Sequence, residues 1–556
     1  VTQINYPKVP IQALFKGSAR IYPSRVALVD GEDSYTYEEI YSKSLKFAQA
    51  LHRLGIEKGD VVCLHLTNSV EYLVAYYGII MSGATYSPAN PLLSEAELTH
   101  QLNDCSARIV VTTGATESLV TSVVKETAVA EIIVSGESKL SDHTYQFKDL
   151  LEEEEAKELD LTFDPDVDIA HLAYTGGTTG RSKGVMLTHA NVVANIIQAT
   201  CFRNGGTVEE VNETVVLSQN PSDEDHYLIP FGTGVTLTVT PWYHAMGTIG
   251  YLNNILFQGA TIVLLKWFEP RQYLSMIEQH QATTVGGAAP LFHALVTVPN
   301  IEDMDFTCVK QVISGASPIA QSVLTKLGRI FPNAIISEGY GLTEASMMLT
   351  ANPCERSARR KIGSVGIPTY DTKVILMNES NQQVSTGQVG EVCAKGPQVM
   401  QGYLNRLEET EIALRDGWLR TGDLGTFDED GYLYIVDRKK DMILYKGYNV
   451  YPGELEDWLY RYERVSSAAV VGVPHELHGE LPVAFVVIKD FLEEERECLT
   501  NELLSFVNEQ VTPYKKIREL VITEELPTSG AGKILKRELK QQAKVLASSN
   551  NENHLK

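Results

Sequence analysis

Residues 174–185 read YTGGTTGRSKGV, with apolar runs on both sides. Gly176, Gly177 and Gly180, the hydroxyls of Thr175, Thr178 and Thr179, and the cations Arg181 and Lys183 all fall within this stretch. The composition suits a loop wrapped round a polyphosphate: glycines let backbone N–H groups converge on an anion, hydroxyls donate to it and cations neutralise it. A plain surface turn has much the same composition. The spacing matches neither G-x-x-x-x-G-K-[ST] nor G-x-G-x-x-G. Val185, Met186 and Leu187 then read as strand, whereas a Walker-type loop opens directly into a helix. The stretch is a different device, and the rest of the chain must decide its meaning.

A chain of 556 residues exceeds one core and is expected to form two to four domains. Charged residues at 21% and hydrophobic residues at 44% describe a globular protein with a large core. The net charge of −24 argues against a nucleic-acid-binding surface but leaves room for a local basic pocket. The seven cysteines are scattered and never spaced C-x-x-C, which predicts reduced, packed thiols and a cytoplasmic protein. No apolar run of about 18 residues occurs, nor a charged-then-apolar start, so neither a membrane span nor secretion is expected. Peripheral membrane contact and a homodimer stay open.

From Thr36 the chain alternates helix and strand. Thr36 and Glu39 form a capping box ahead of Ile40, Leu45, Ala48, Leu51 and Leu54, and Gly55 supplies the stop. Val61 to Leu66 reads as a buried strand, a helix runs from Ser69 to Gly83, another starts at Ser94 with Glu97 in the capping position, and Arg108 to Thr112 is strand again. This rhythm predicts doubly wound α/β architecture, with ligands where loops leave the strand ends. Leu151 to Asp168 reads as a solvated linker, and Arg203 to Asp225 as a polar surface excursion. Helix and strand patterns resume from Gly234 to about Ile336; short strands after Lys373 suggest a β-rich subdomain ending at Arg438. The last hundred residues read as an α+β unit, with helices near 452–462 and 500–509 and strands near 468–473 and 483–488.

Five more stretches bear on the loop: Trp242-Tyr243-His244; ISEGYGLTE at 336–344; DGWLRTGDLG at 416–425; DRKKDMILYKGYNVYPGE at 437–454; and PTSGAGKILKREL at 527–539. Each alone is weak. In this order, the set resembles the adenylate-forming superfamily of acyl-CoA synthetases, adenylation domains and beetle luciferases, from about Tyr22 to Leu539.

The resemblance implies a large N-terminal domain (1–437) of two doubly wound α/β subdomains and a β-rich subdomain, a hinge at 438–440 and a small mobile α+β C-terminal domain (441–556). It also implies two steps: a carboxylate attacks the α-phosphate of Mg-ATP to give an acyl-adenylate and pyrophosphate, then a thiol, usually coenzyme A, displaces AMP. On this reading Thr175, Gly176, Gly177, Thr178, Thr179, Gly180 and Lys183 hold the β- and γ-phosphates. Gly315, Ala316, Glu338, Gly339 and Tyr340 frame the nucleotide, Tyr340 offering a face to adenine. Thr343 would donate to the α-phosphate and Glu344 would ligate Mg²⁺. Asp423 would accept both ribose hydroxyls, with Arg438 donating to the same sugar. Lys533 would be the catalytic cation that neutralises charge on the carboxylate and α-phosphate. Tyr243 and His244 would line and gate the acyl site with Gly286, Gly287, Ala288, Gly315 and Gly341. Lys440 matches the hinge position, and after rotation Lys446 and Gly447 would shape the pantetheine channel.

Individual residues also have structural readings: Asp423 as a turn residue, Tyr340 as core, His244 as a satisfied buried imidazole. His475 and His478 suggest a metal but lack the H-E-x-x-H spacing and a nearby cysteine. Small apolar linings such as VGGAAP at 285–290 leave volume for a medium- to long-chain fatty acid, while an aryl acid such as benzoate or cinnamate also suits glycine-bordered slots. No aspartate stands in the early pocket stretch where amino-acid-activating members keep one. No carrier segment follows Leu539, so a carrier-protein acceptor would be separate. Two departures stand out: Gly177 replaces the serine of many members, and the excursion before Gly234 is long.

Overall fold

The computed structural model describes residues 4–139, 143–175, 182–219, 226–317, 319–475, 477–528 and 534–553. The capping box at Thr36 starts the helix Tyr37–Arg53, and that at Ser94 starts Glu95–Asp104. Ser69 caps Val70–Met81, which is buried from Tyr72 onwards and lies against Tyr37–Arg53. The two helices meet closely at Gly78, where a Cβ would stand 2.7 Å from the Phe47 ring. Gly55 follows Tyr37–Arg53 with φ +81°, which a glycine adopts without strain.

Two large sheets carry the N-terminal part. The first has eight strands in the order Gly402–Tyr403, Lys183–Thr188, Ile169–Thr175, Thr85–Pro88, Val61–His65, Ile109–Thr113, Glu131–Ser135 and Thr144–Gln146. The second has nine, and its parallel centre runs Ile335–Tyr340, Gln311–Ser314, Thr284–Gly287, Val235–Thr238, Thr261–Leu264 and Val26–Asp30. One core joins side chains of both sheets with the helices Tyr37–Arg53, Val70–Met81 and His189–Asn204 and the helical segment 246–257. The outer face of the nine-stranded sheet packs on Pro270–His280, Ala289–Leu295 and Gln321–Ile330. Each sheet is thus wound on both faces.

An antiparallel sheet follows, with Lys373–Met377, Gly390–Lys395, Trp418–Phe427 and Leu433–Arg438 as its main strands. The C-terminal part is an α+β unit in which Ile443–Tyr445, Gly479–Ile488, Val465–His475 and Glu519–Ile522 share one sheet. Its last helix, Lys536–Asn553, is too polar to announce itself, and it packs through Leu539 and Ala543.

The 203–225 region departs from a plain surface excursion. Thr207–Val211 and Thr214–Ser218 form a hairpin turning at Asn212 and Glu213, both at positive φ, and Val215 is fully buried. The Val215 carbonyl lies where a Cβ on Gly17 would be, so the hairpin is sealed onto the first helix, Gln12–Ile21. The alternation of the two short strands is masked in the sequence by their flanking Glu, Asn and Ser residues. Residues 220–225 lie outside the described part.

Candidate active site

The site forms where the nine-stranded sheet ends against the antiparallel sheet. Asp423 and Arg438 stand opposite each other in the ladder of Trp418–Phe427 and Leu433–Arg438. Arg438 Nε lies 3.1 Å from Asp423 Oδ1, and Tyr340 Oη donates to Asp423 Oδ2 at 2.7 Å. Burial, reinforced by the neighbouring carboxylate, holds the Tyr340 phenol protonated well above its ordinary range. Each Asp423 oxygen thus takes one protein donor and keeps acceptor capacity for a ligand hydroxyl. Tyr340 is not a free ring beside a separate acid; its hydroxyl locks it to Asp423.

Three neighbouring strands bring small residues and backbone to the sheet edge beside Glu338 and Tyr340. Gly287 and Ser314 are in register, as are Ser314 and Glu338, and Gly315 N–H donates to the Gly287 carbonyl at 3.2 Å. A Cβ on Gly315 would stand 3.3 Å from Met246 Sδ and 3.6 Å from the Gly339 carbonyl. Ala316 continues the chain at φ +65°, a strained conformation for a residue with a Cβ. At Gly286 the space is taken: an added Cβ would lie 1.8 Å from Tyr251 Oη. Ala288 caps the helix Ala289–Leu295, and Gly341 passes so close to the Met347 carbonyl that no side chain fits. Glu338 accepts from Gly363 N–H at 3.1 Å, and burial pushes its carboxyl up to about 7.

Thr343 and Glu344 sit on the single turn Thr343–Ala345. Glu344 Oε1 accepts from Tyr403 Oη at 2.8 Å, and its carbonyl accepts from Met400 N–H at 2.8 Å. The Tyr403 ring also lies 5.1 Å from Lys183 Nζ, so this tyrosine joins the acidic motif to the end of the glycine-rich stretch. Tyr403 carries no motif in the sequence; it is found through the pairing of Gly402–Tyr403 with Lys183–Thr188. Thr175 and Lys183 face each other across the mouth of the hairpin. Gly176, Gly177, Thr178, Thr179 and Gly180 lie outside the described residues. The stretch joins two antiparallel strands, as its apolar exit predicts.

On the acyl side, Asn68 fixes the Trp242-Tyr243-His244 segment by accepting from Trp242 N–H at 2.8 Å and donating to the Thr240 carbonyl at 2.9 Å. Tyr243 and His244 rings lie 4.7 Å apart. Burial lowers the His244 imidazole to about 4, and its Nε2 has no hydrogen-bond partner among the described residues. The ring is neutral at pH 7 and is not a satisfied core histidine.

Lys533 lies outside the described residues; Thr528 and Ile534 pair in a β-bridge. Lys440 is exposed. Partial desolvation and then Arg438 lower its pKa against the opposing fields of Asp441, Asp423 and Glu344. Lys446 and Gly447 form the exposed turn between Ile443–Tyr445 and Tyr448–Val450, with φ of 51° and 82°. His475 and His478 stack at 4.6 Å, and the His475 Nδ1 accepts from Leu477 N–H, which commits that nitrogen. Among the described residues no three His, Cys, Asp or Glu side chains group to hold a metal. Glu344 as a lone carboxylate suits Mg²⁺, which keeps waters and phosphate oxygens in its shell rather than demanding an all-protein cage.

Residues 15–404 match the family of AMP-binding enzymes, and residues 454–533 match the AMP-binding enzyme C-terminal domain. A long-chain-fatty-acid–CoA ligase of Bacillus subtilis is 32% identical over 97% of this chain and 96% of its own. A 4-coumarate–CoA ligase of Solanum tuberosum is 33% identical over 93% of this chain and 91% of its own. The crystal structure of the anthranilate CoA ligase AuaEII with anthranoyl-AMP shares the fold, with a TM-score of 0.87 at 22% identity, covering 98% of this chain and 99% of that one. No helix among the described residues is long and apolar enough to cross a membrane. Both parts of the chain match in order along nearly its whole length: it belongs to the AMP-binding enzyme family and is an adenylate-forming acyl-CoA synthetase.

Proposed function

We propose that this protein activates a medium- to long-chain fatty acid with ATP and passes the acyl group to coenzyme A. The observation that carries the reading is the full-length similarity to long-chain-fatty-acid–CoA ligases. In the first step a carboxylate oxygen forms a bond to the α-phosphorus as the bond to pyrophosphate breaks. In the second the thiolate sulfur bonds to the acyl carbon and AMP leaves. A carboxylate alone resists thiols because oxide is a poor leaving group; adenylation supplies a good one.

Asp423, held by Tyr340 and Arg438, receives the ribose hydroxyls through its remaining lone pairs. The backbone edge at Gly287, Gly315 and Gly339 admits the flat nucleotide and the acyl ester together. Lys183 and the residues before it neutralise the polyphosphate, Thr343 donates to the α-phosphate, and Glu344, oriented by Tyr403, supplies the carboxylate for Mg²⁺. When bound, Mg²⁺ offsets phosphate charge. Neutral His244 bounds the acyl entrance without adding charge. Lys533 serves the first step; a turn of the 441–556 domain about 438–440 brings Lys446 and Gly447 in for the second. An aryl acid is the second reading, favoured by the similarity to 4-coumarate–CoA ligase.

The test is ATP-dependent pyrophosphate release across straight-chain acids from butyrate to stearate, with benzoate and cinnamate, with and without coenzyme A. A coenzyme A-stimulated maximum at an aliphatic length is expected. Activity confined to aryl acids would establish the second reading, and no release with any acid would refute both.

A further inference from the structure

The helix Glu95–Asp104 reaches the chain on both sides of the glycine-rich stretch. Tyr174, the residue before Thr175, donates its hydroxyl to Asp104 Oδ2 at 2.8 Å. Past the stretch, His100 Nε2 lies 3.1 Å from the Ser182 carbonyl. A carbonyl only accepts, so Nε2 carries the proton and the ring donates. His100 and Asp104 stand four residues apart and share one helix face, and the capping box at Ser94 fixes the start of that helix. One element thus holds the chain where it leads into the stretch, at Tyr174, and where it leads out, at Ser182.

Asp104 is held from a further side. Arg406 Nη2 lies 3.0 Å from its Oδ1, and the Asp104 side chain is only 9% exposed. Arg406 follows Gly402–Tyr403, and Leu404 between them donates its N–H to the Gly184 carbonyl at 2.8 Å. The enclosed carboxylate therefore has a phenol on one oxygen and a guanidinium on the other, the partners that offset its desolvation. Tyr174 and Gly184 are direct partners across the hairpin, as are Thr175 and Lys183 one step nearer its mouth. Gly184 leaves room for the tyrosine, since a Cβ there would stand 3.1 Å from Tyr174 Cζ and 3.2 Å from its Oη. The body of the hairpin is already held by buried Leu172, Ala173, Val185 and Leu187. The polar anchors lie at its mouth instead, where they set the gap between Thr175 and Lys183.

We infer that His100 and Asp104 are positioning residues for ATP, acting through Ser182 and Tyr174 to hold Thr175 and Lys183 at the spacing that receives the polyphosphate. The inference rests on the ligase reading, in which Thr175 and Lys183 meet the phosphates, and adds two residues that no motif marks. Without the anchors the mouth of the hairpin has to be ordered when ATP binds, and that ordering appears as weaker binding. The second step contains no polyphosphate, so the effect belongs to ATP and to adenylation alone.

The experiment uses the full chain and the acid that gives the fastest pyrophosphate release. It measures the Kd of ATP by calorimetry, KM for ATP and for the acid, and thiol transfer from supplied acyl-adenylate. Asp104→Asn is expected to raise Kd and KM for ATP by roughly tenfold, and His100→Ala by roughly fivefold, with His100→Gln, whose amide also donates, recovering part of the loss. The KM for the acid and the thiol step are expected to stay within roughly twofold of the wild type. Should Asp104→Asn not fold, Tyr174→Phe, which deletes one hydroxyl, must weaken ATP by roughly fivefold. ATP affinity unmoved in these variants, or a loss shared equally by ATP, acid and the thiol step, overturns the inference and leaves the ligase reading standing. A wild type that neither binds ATP nor releases pyrophosphate with any acid overturns both.

Discussion

Glu338 shows how far one residue's chemistry depends on its surroundings. In sequence it is one letter of ISEGYGLTE; in the fold it is a partly buried carboxyl with one backbone donor, pushed up to about 7 by desolvation. Because the folded pKa lies above the ordinary 4.5, the native state binds the proton more tightly than the unfolded chain. Stability is therefore lost as pH rises from about 4.5 to about 7 and levels off above that. Glu338→Gln should remove this penalty: its Tm is expected to match the wild type at pH 4 and exceed it at pH 8, by the equivalent of up to about 3 kcal/mol. Thermal melts across that range check the sign. Tyr340, Asp423 and Arg438 could each be named through the family resemblance their motifs carry, but that they form one hydrogen-bonded unit could not. Tyr403 had no signal at all, because it reaches Glu344 only through strand pairing between residues far apart in the chain.

Elements whose causes are local were legible. Capping boxes at Thr36 and Ser94 set two helix starts because donor and acceptor lie three residues apart in the chain. The hairpin at 207–218 and the helix Lys536–Asn553 were not legible, since each depends on a distant partner, Gly17 in one case and the C-terminal sheet in the other. The last helix is anchored by Lys536, whose Nζ lies 2.7 Å from Glu456 Oε1 on Pro452–Tyr460. Burial lowers the pKa of this lysine, but Glu456 and Asp437 more than restore it, so the ammonium stays charged. Lys536→Met leaves the partly buried Glu456 and Asp437 carboxylates without their cation and should destabilise the C-terminal part by about 3 kcal/mol, read as a lower urea midpoint. Adding Glu456→Met should recover part of the loss.

At the scale of the whole molecule, the proposed mechanism needs two loops to take turns at one site. Lys533→Ala is expected to cripple adenylation yet leave thiol transfer from supplied acyl-adenylate largely intact, whereas Gly447→Leu should block the thiol step preferentially. Single-turnover assays of the two half-reactions separate them, and equal loss of both by either variant contradicts the division of labour. Gly447 has φ +82°, so Gly447→Ala is the control for turn strain alone. By itself the sequence determined the fold class, the order of its parts and the reaction class, because capping, hydrophobic period and motif order are written along the chain within short spans. Only the tertiary structure decided what stands beside what: Tyr340 on Asp423, Tyr403 on Glu344, and Tyr251 against Gly286. Those contacts come from sheet register and helix packing over distances of tens to hundreds of residues, and a side chain's pKa, partner and free volume are set by that packing rather than by its neighbours in sequence.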